Sequence, residues 1–84
     1  MLDDLVVKDS RYIYGKVSYH TKNEISDFYD SLREVAESCR GEGVSREEKY
    51  SWFKFPDSSC SADFHRKIID LDYVKTVLFR RFRD

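Results

Sequence analysis

Long apolar runs are missing from this chain of 84 residues, and its opening, Met1-Leu2-Asp3-Asp4, carries acids where a secretory leader carries bases. The expectation is therefore no membrane span, no secretion and a cytoplasmic setting. Cysteine is scarce too. Cys39 and Cys60 stand far apart and form no CxxC pair, so they read as ordinary buried or loop thiols. The few glycines build no phosphate cradle, because Gly41-Glu42-Gly43 sets an acid between two of them and lacks the lysine that would meet a phosphate. Repeats and low-complexity tracts are absent as well. The length suits one domain over 1–84 with a single modest core and leaves no room for catalytic subdomains.

Aromatic residues are plentiful, with six Tyr, six Phe and one Trp, which argues for a packed globule over a disordered tail. Charge is nearly balanced at a net −1, yet it is unevenly spread. Residues 1–48 carry seven Lys or Arg against eleven Asp or Glu, and residues 49–84 carry eight against five. A fold that keeps those halves apart is electrically bipolar and steers its partners.

The clearest local signal runs from Thr21 to Gly41. Ile25, Phe28, Tyr29, Leu32, Val35, Ala36 and Cys39 recur at three- and four-residue steps, so they share one face of a helix that must be buried. Thr21 and Glu24 have capping-box spacing, which predicts the start. Arg40-Gly41 predicts the stop, with a cation at the negative end of the dipole and glycine in the left-handed cap.

Around the helix the period changes to two. Ile13, Val17 and Tyr19 alternate with Tyr12, Tyr14, Lys16 and Ser18, and Gly15 on the inner side marks either a bulge or a close approach by another element. Phe53 and Phe55 alternate with Tyr50, Trp52 and Lys54 until Pro56-Asp57 ends that strand. Leu5-Val6-Val7 reads as a short edge strand, and Gly41 to Glu48 as a connecting loop. From Ala62 onward Leu71, Val74, Leu78 and Phe82 fit a helical stripe, while the β-branched and aromatic residues favour a strand. The reading adopted is a short helix or turn around Ser61 to Ile69 and a closing strand from about Tyr73 to Phe82, with a helical C-terminus as the alternative. The fold class is α+β: a small antiparallel sheet of three to four strands with one long amphipathic helix (about 21–40) on one face.

Four constellations bear on function. Cys60 and His65 are the cysteine and histidine nearest in sequence, but no nucleophile motif surrounds them, so no catalytic residue is assigned and the chain is expected not to be an enzyme. Cys39, Cys60, His20 and His65 are the ligand types of a zinc site, yet His20 and Cys39 lie about 30 Å apart along the helix, so neither a metal nor a cofactor is expected. Tyr12, Tyr14, Tyr50 and Trp52, with Lys16 and Lys54, share the sheet face away from the helix, and Arg80, Arg81 and Arg83 follow. Such a face suits single-stranded nucleic acid, a second core layer or the interface of a homodimer. Finally, Glu24, Asp27, Asp30, Glu34 and Glu37 fall in one arc of the helix, with Arg33 and Arg40 beside it. Stacked acids do not help an isolated helix, so they suggest a solvated face or a docking stripe for a basic protein partner.

The function expected from these features is non-catalytic: a small protein that binds a partner macromolecule and masks or modulates it. In size and composition it is like the accessory inhibitors and immunity proteins that phages and plasmids encode. The alternative is a single-stranded nucleic-acid-binding module built on the aromatic sheet face.

Overall fold

The computed structural model of the chain describes residues 10–20, 25–47 and 49–81, with the backbone alone at 25–27. Its elements are β1 (Ile13–Tyr19), α1 (Ile25–Ser38), β2 (Glu42–Arg46), β3 (Tyr50–Phe55), α2 (Ser58–Ile68) and β4 (Val74–Arg81). The four strands form one sheet in the order β2-β3-β1-β4, and every neighbouring pair is antiparallel. The expected α+β class and antiparallel sheet are met. The expected strand at Leu5–Val7 and the Thr21–Glu24 capping box lie outside the described residues.

Register assigns the two faces. Across the sheet Phe53, Gly15 and Phe79 stand in one row, with Val17 opposite Val77 in another, and these residues lie under the helices. Phe79 packs over Gly15, so of the two alternatives for this strand glycine the close approach is the one found. The periodic face of α1 supplies Leu32, Ala36 and Cys39, and α2 supplies Cys60, Phe64 and Ile68, to one cluster with Val17, Tyr19, Phe53, Phe55 and Val74. Phe64 is its keystone, with ring centroids 5.3 Å from Phe53 and 4.8 Å from Phe55. Within this core the Tyr19 hydroxyl and Ser51 Oγ share a buried hydrogen bond of 2.6 Å.

That buried pair yields a measurable expectation. Ser51→Ala strands the Tyr19 hydroxyl and should cost about 1–3 kcal/mol, whereas removing both polar groups in Tyr19→Phe/Ser51→Ala should recover much of it. Urea denaturation of the four proteins checks this, and additive losses would show that the bond contributes nothing.

Two expectations are corrected. Residues 42–46, read as loop because they are polar and hold Gly43, form β2, an edge strand paired on one side and bulged between Gly43 and Ser45. The left-handed residue after α1 is Arg40, at φ 66°, while Gly41 is not left-handed. At the C-terminus the strand reading holds: α2 ends at Ile68 and β4 follows through a turn at Leu71 to Val74.

The start of α2 depends on Asp57, whose extended backbone lets its carboxylate accept the Cys60 amide at 2.9 Å. That bond, with a smaller contribution from the Arg40 charge, holds the Asp57 carboxyl below its ordinary 3.8. A lowered folded pKa means that the stabilisation is present above the unfolded value and is lost as pH falls through the native one. Asp57→Asn should therefore keep the cap at neutral pH but flatten the acid limb of a melting-temperature profile, and Asp57→Ala should lower stability at neutral pH as well. An unchanged acid limb in Asp57→Asn would assign it to other carboxylates.

Candidate functional site

Two surfaces and one thiol decide what the fold can do. On α1, Leu32, Ala36 and Cys39 point inward, so Asp30, Glu34 and Glu37, about half a turn away, point outward and are exposed. None of the three forms an ion pair with a described residue; the ion pair among described residues, Asp63 with Arg66, belongs to α2. Arg33 and Arg40 are exposed to one side of the acids. Glu24 lies outside the described residues, and for Asp27 only the helical backbone is described.

The opposite face of the sheet carries Tyr14, Lys16, Trp52, Lys54, Leu78 and Arg80, as the registers require. Burial divides its aromatics. Tyr14 is fully buried and Trp52 is 9% exposed, while Tyr12 and Tyr50 are half-buried. Lys54 Nζ sits 4.5 Å from the centre of the Tyr12 ring, and Lys16 Nζ sits 4.5 Å from that of Tyr50. Each tyrosine is thus engaged by a cation, at a gain of about 0.5–1 kcal/mol for an exposed pair. Beside them an open depression of about 410 Å³ is lined by Lys16, Trp52, Leu78, Phe79 and Arg80.

Tyr14, Lys16, Trp52, Lys54 and Arg80 stand on this face, and so does Leu78, which the sequence reading of the face left out. It fits a helical stripe as well as the closing strand adopted from about Tyr73 to Phe82, and in that strand it stands opposite Lys16 and is 63% exposed. Alternation with Val77 and Phe79 is the signal that places it there. Arg81 is not with Lys16, Lys54 and Arg80: it stands opposite Ile13 on the other face and donates to the Ser10 carbonyl at 3.3 Å. Arg83 lies outside the described residues.

The thiol is placed unfavourably for nucleophilic chemistry. Cys60 is buried in the first turn of α2, where a helix N-terminus would ordinarily favour thiolate. Burial pushes its pKa up, and the hydrogen bond and negative charge of Asp57 push the same way. His65 meets Phe79 edge-on with centroids 6.0 Å apart. Cys39 is a second free, buried thiol. No three His, Cys, Asp or Glu side chains are grouped as metal ligands among the described residues, and no helix among them is long and apolar enough to cross a membrane.

No family model matches the chain, and no curated protein matches it. Among solved structures it is similar to the structured domain of Drosophila melanogaster Boca, with a TM-score of 0.73, 17% identity, and coverage of 87% of this chain and all of that one. At that identity the likeness shows a shared fold, a four-stranded antiparallel sheet with two helices.

Proposed function

We propose that this chain is a non-catalytic binding protein that docks on a partner protein through the outer face of α1 and masks or modulates it, as an accessory inhibitor does. The observation that carries the reading is the exposure of Asp30, Glu34 and Glu37 in one arc, without an ion pair to any described residue. Like charges three and four residues apart cost a few tenths of a kcal/mol per pair in an isolated helix. A basic surface brought against the stripe relieves that repulsion and adds long-range attraction, which raises the association rate more than the final affinity.

The nucleic-acid reading draws support from Lys16, Lys54 and Arg80 around Trp52, but stacking needs open ring faces. Tyr14 offers none, Trp52 little, and the rings of Tyr12 and Tyr50 already engage lysines. Binding of another protein is the better supported of the two.

The test is capture of partners from the native host by wild type and by Asp30→Lys/Glu34→Lys/Glu37→Lys. Reversing three charges in one field should weaken a specific partner about tenfold or more at low salt, with a smaller difference at high salt. Equal capture of that partner by both proteins would overturn the α1 reading. Salt-sensitive binding of labelled oligonucleotides that vanishes in Trp52→Ala would instead favour nucleic acid.

A further inference from the structure

The two edges of the sheet differ in a way the core does not require. The β2 edge has five residues, a bulge in its ladder, and charges of both signs in Glu42 and Arg46. Shortness and a bulge are the usual ways in which an edge is closed to new strands. β4, at the other edge, runs for eight residues, and after an irregularity opposite Ser18 and Tyr19 its residues Thr76–Arg81 pair with β1 in unbroken register. Among the described residues β4 has a neighbour on one side alone, so its outer amides and carbonyls form a regular ladder that ends at the edge.

The side chains say what would fit there. β4 carries Lys75, Arg80 and Arg81 and no acid. A second copy pairing by its own β4 would set six cations on two adjacent strands, which opposes self-association. Cations alone would be explained as protection of an exposed edge, but protection does not explain an exposed leucine. Leu78 is 63% exposed and lines the depression together with Trp52, and its half-buried neighbours Val77 and Phe79 alternate to the other face.

We infer that the outer edge of β4 accepts an extended acidic segment of a partner protein as a fifth strand, with apolar residues of that segment beside Leu78 and Phe79 and carboxylates beside Lys75, Arg80 and Arg81. Backbone pairing supplies the affinity, and an apolar centre flanked by acids supplies the selectivity. This site goes beyond the α1 stripe and shares no residue with it, so either can fail without the other.

The probe is a capped heptapeptide with three central Val or Ile residues and two Glu at either end, so that the apolar residues stand beside Val77–Phe79 and the acids beside the cations that flank them, titrated into isotope-labelled protein and followed by amide resonances. Binding should perturb Thr76–Arg81 and slow hydrogen exchange at the alternate amides that face outward, and replacing Glu by Lys in the peptide should weaken it about tenfold or more. Because alternate amides of a strand face alternate edges, N-methylation of one set of alternate peptide residues should abolish binding and methylation of the other set should spare it. Lys75→Glu/Arg80→Glu should exchange the preference in favour of the Lys peptide, a gain that a damaged fold could not produce. Equal binding by both methylated series, no binding by the Glu peptide, or oligothymidylate binding at these amides in its place would each overturn the proposal.

Discussion

Phe64→Ala is expected to bring this domain close to unfolding, because one ring joins its two layers. Phe64 is wholly buried in α2 and lies between Phe53 and Phe55 of the central sheet. Deleting a buried phenyl group costs about 3–5 kcal/mol, the sum of lost transfer energy and the cavity left behind. A chain of 84 residues has on the order of 4–12 kcal/mol in total, so the variant should lose about a quarter or more of its stability. Ile68→Val, one turn further along the same face, removes a single methylene from an equally buried side chain and should cost about 0.5–1.5 kcal/mol.

Urea unfolding of the two variants measures the contrast. A Phe64→Ala midpoint no lower than that of Ile68→Val would mean that α2 is not held on the sheet by this ring. The surfaces proposed to bind partners are on other residues, so a loss of binding by Phe64→Ala at concentrations of urea where it is folded is not expected.

How far these features were legible in the residues depends on how many layers each element touches. α1 has one buried and one solvated face, and β1 sets apolar residues on one face against Lys16 and Ser18 on the other, so Leu32, Ala36 and Cys39 in the helix, and Val17 and Tyr19 in the strand, announce themselves by period. β2 touches little: Glu42-Gly43-Val44-Ser45-Arg46 is an edge strand with no fully buried residue, and its pairing with β3 leaves no apolar alternation to read. Asp57 was legible as the end of β3 but doubles as the cap of α2, a role that needs the direction of the next element. The open face was legible as a set of residues, since alternation fixes the side on which Tyr14, Trp52 and Lys16 lie. Their burial was not, because period two says which way a side chain points and not what lies over it. The same holds for the acids of α1, where spacing gives the arc and only tertiary contacts give exposure.

The turn after α1 provides the sharpest test of that distinction. Arg40 donates its amide to the Glu37 carbonyl at 3.1 Å, and Gly41 donates to the Ala36 carbonyl at 2.7 Å. This is the Schellman pattern, in which the left-handed position normally holds glycine and here holds Arg40. Glycine stands one residue later for a different reason: a methyl at Gly41 would come within 2.6 Å of Phe55 Cδ1 and 3.0 Å of the Lys54 carbonyl oxygen. The two neighbouring positions should therefore respond in opposite senses. Arg40→Gly removes a left-handed penalty of about 1–2 kcal/mol for a side-chain-bearing residue, less the extra entropy of glycine in the unfolded chain, and should gain roughly 0.5–1 kcal/mol. It also deletes a charge that helps hold down Asp57, but exposed charge pairs contribute little, so the gain should survive. Gly41→Ala forces its methyl against a fully buried ring and a backbone oxygen and should cost about 1–3 kcal/mol. Urea midpoints that rise for Arg40→Gly and fall for Gly41→Ala would separate the conformational role of one residue from the steric role of the next. If Gly41→Ala were neutral and Arg40→Gly harmful, Gly41 would be the cap that its place in the sequence first suggested.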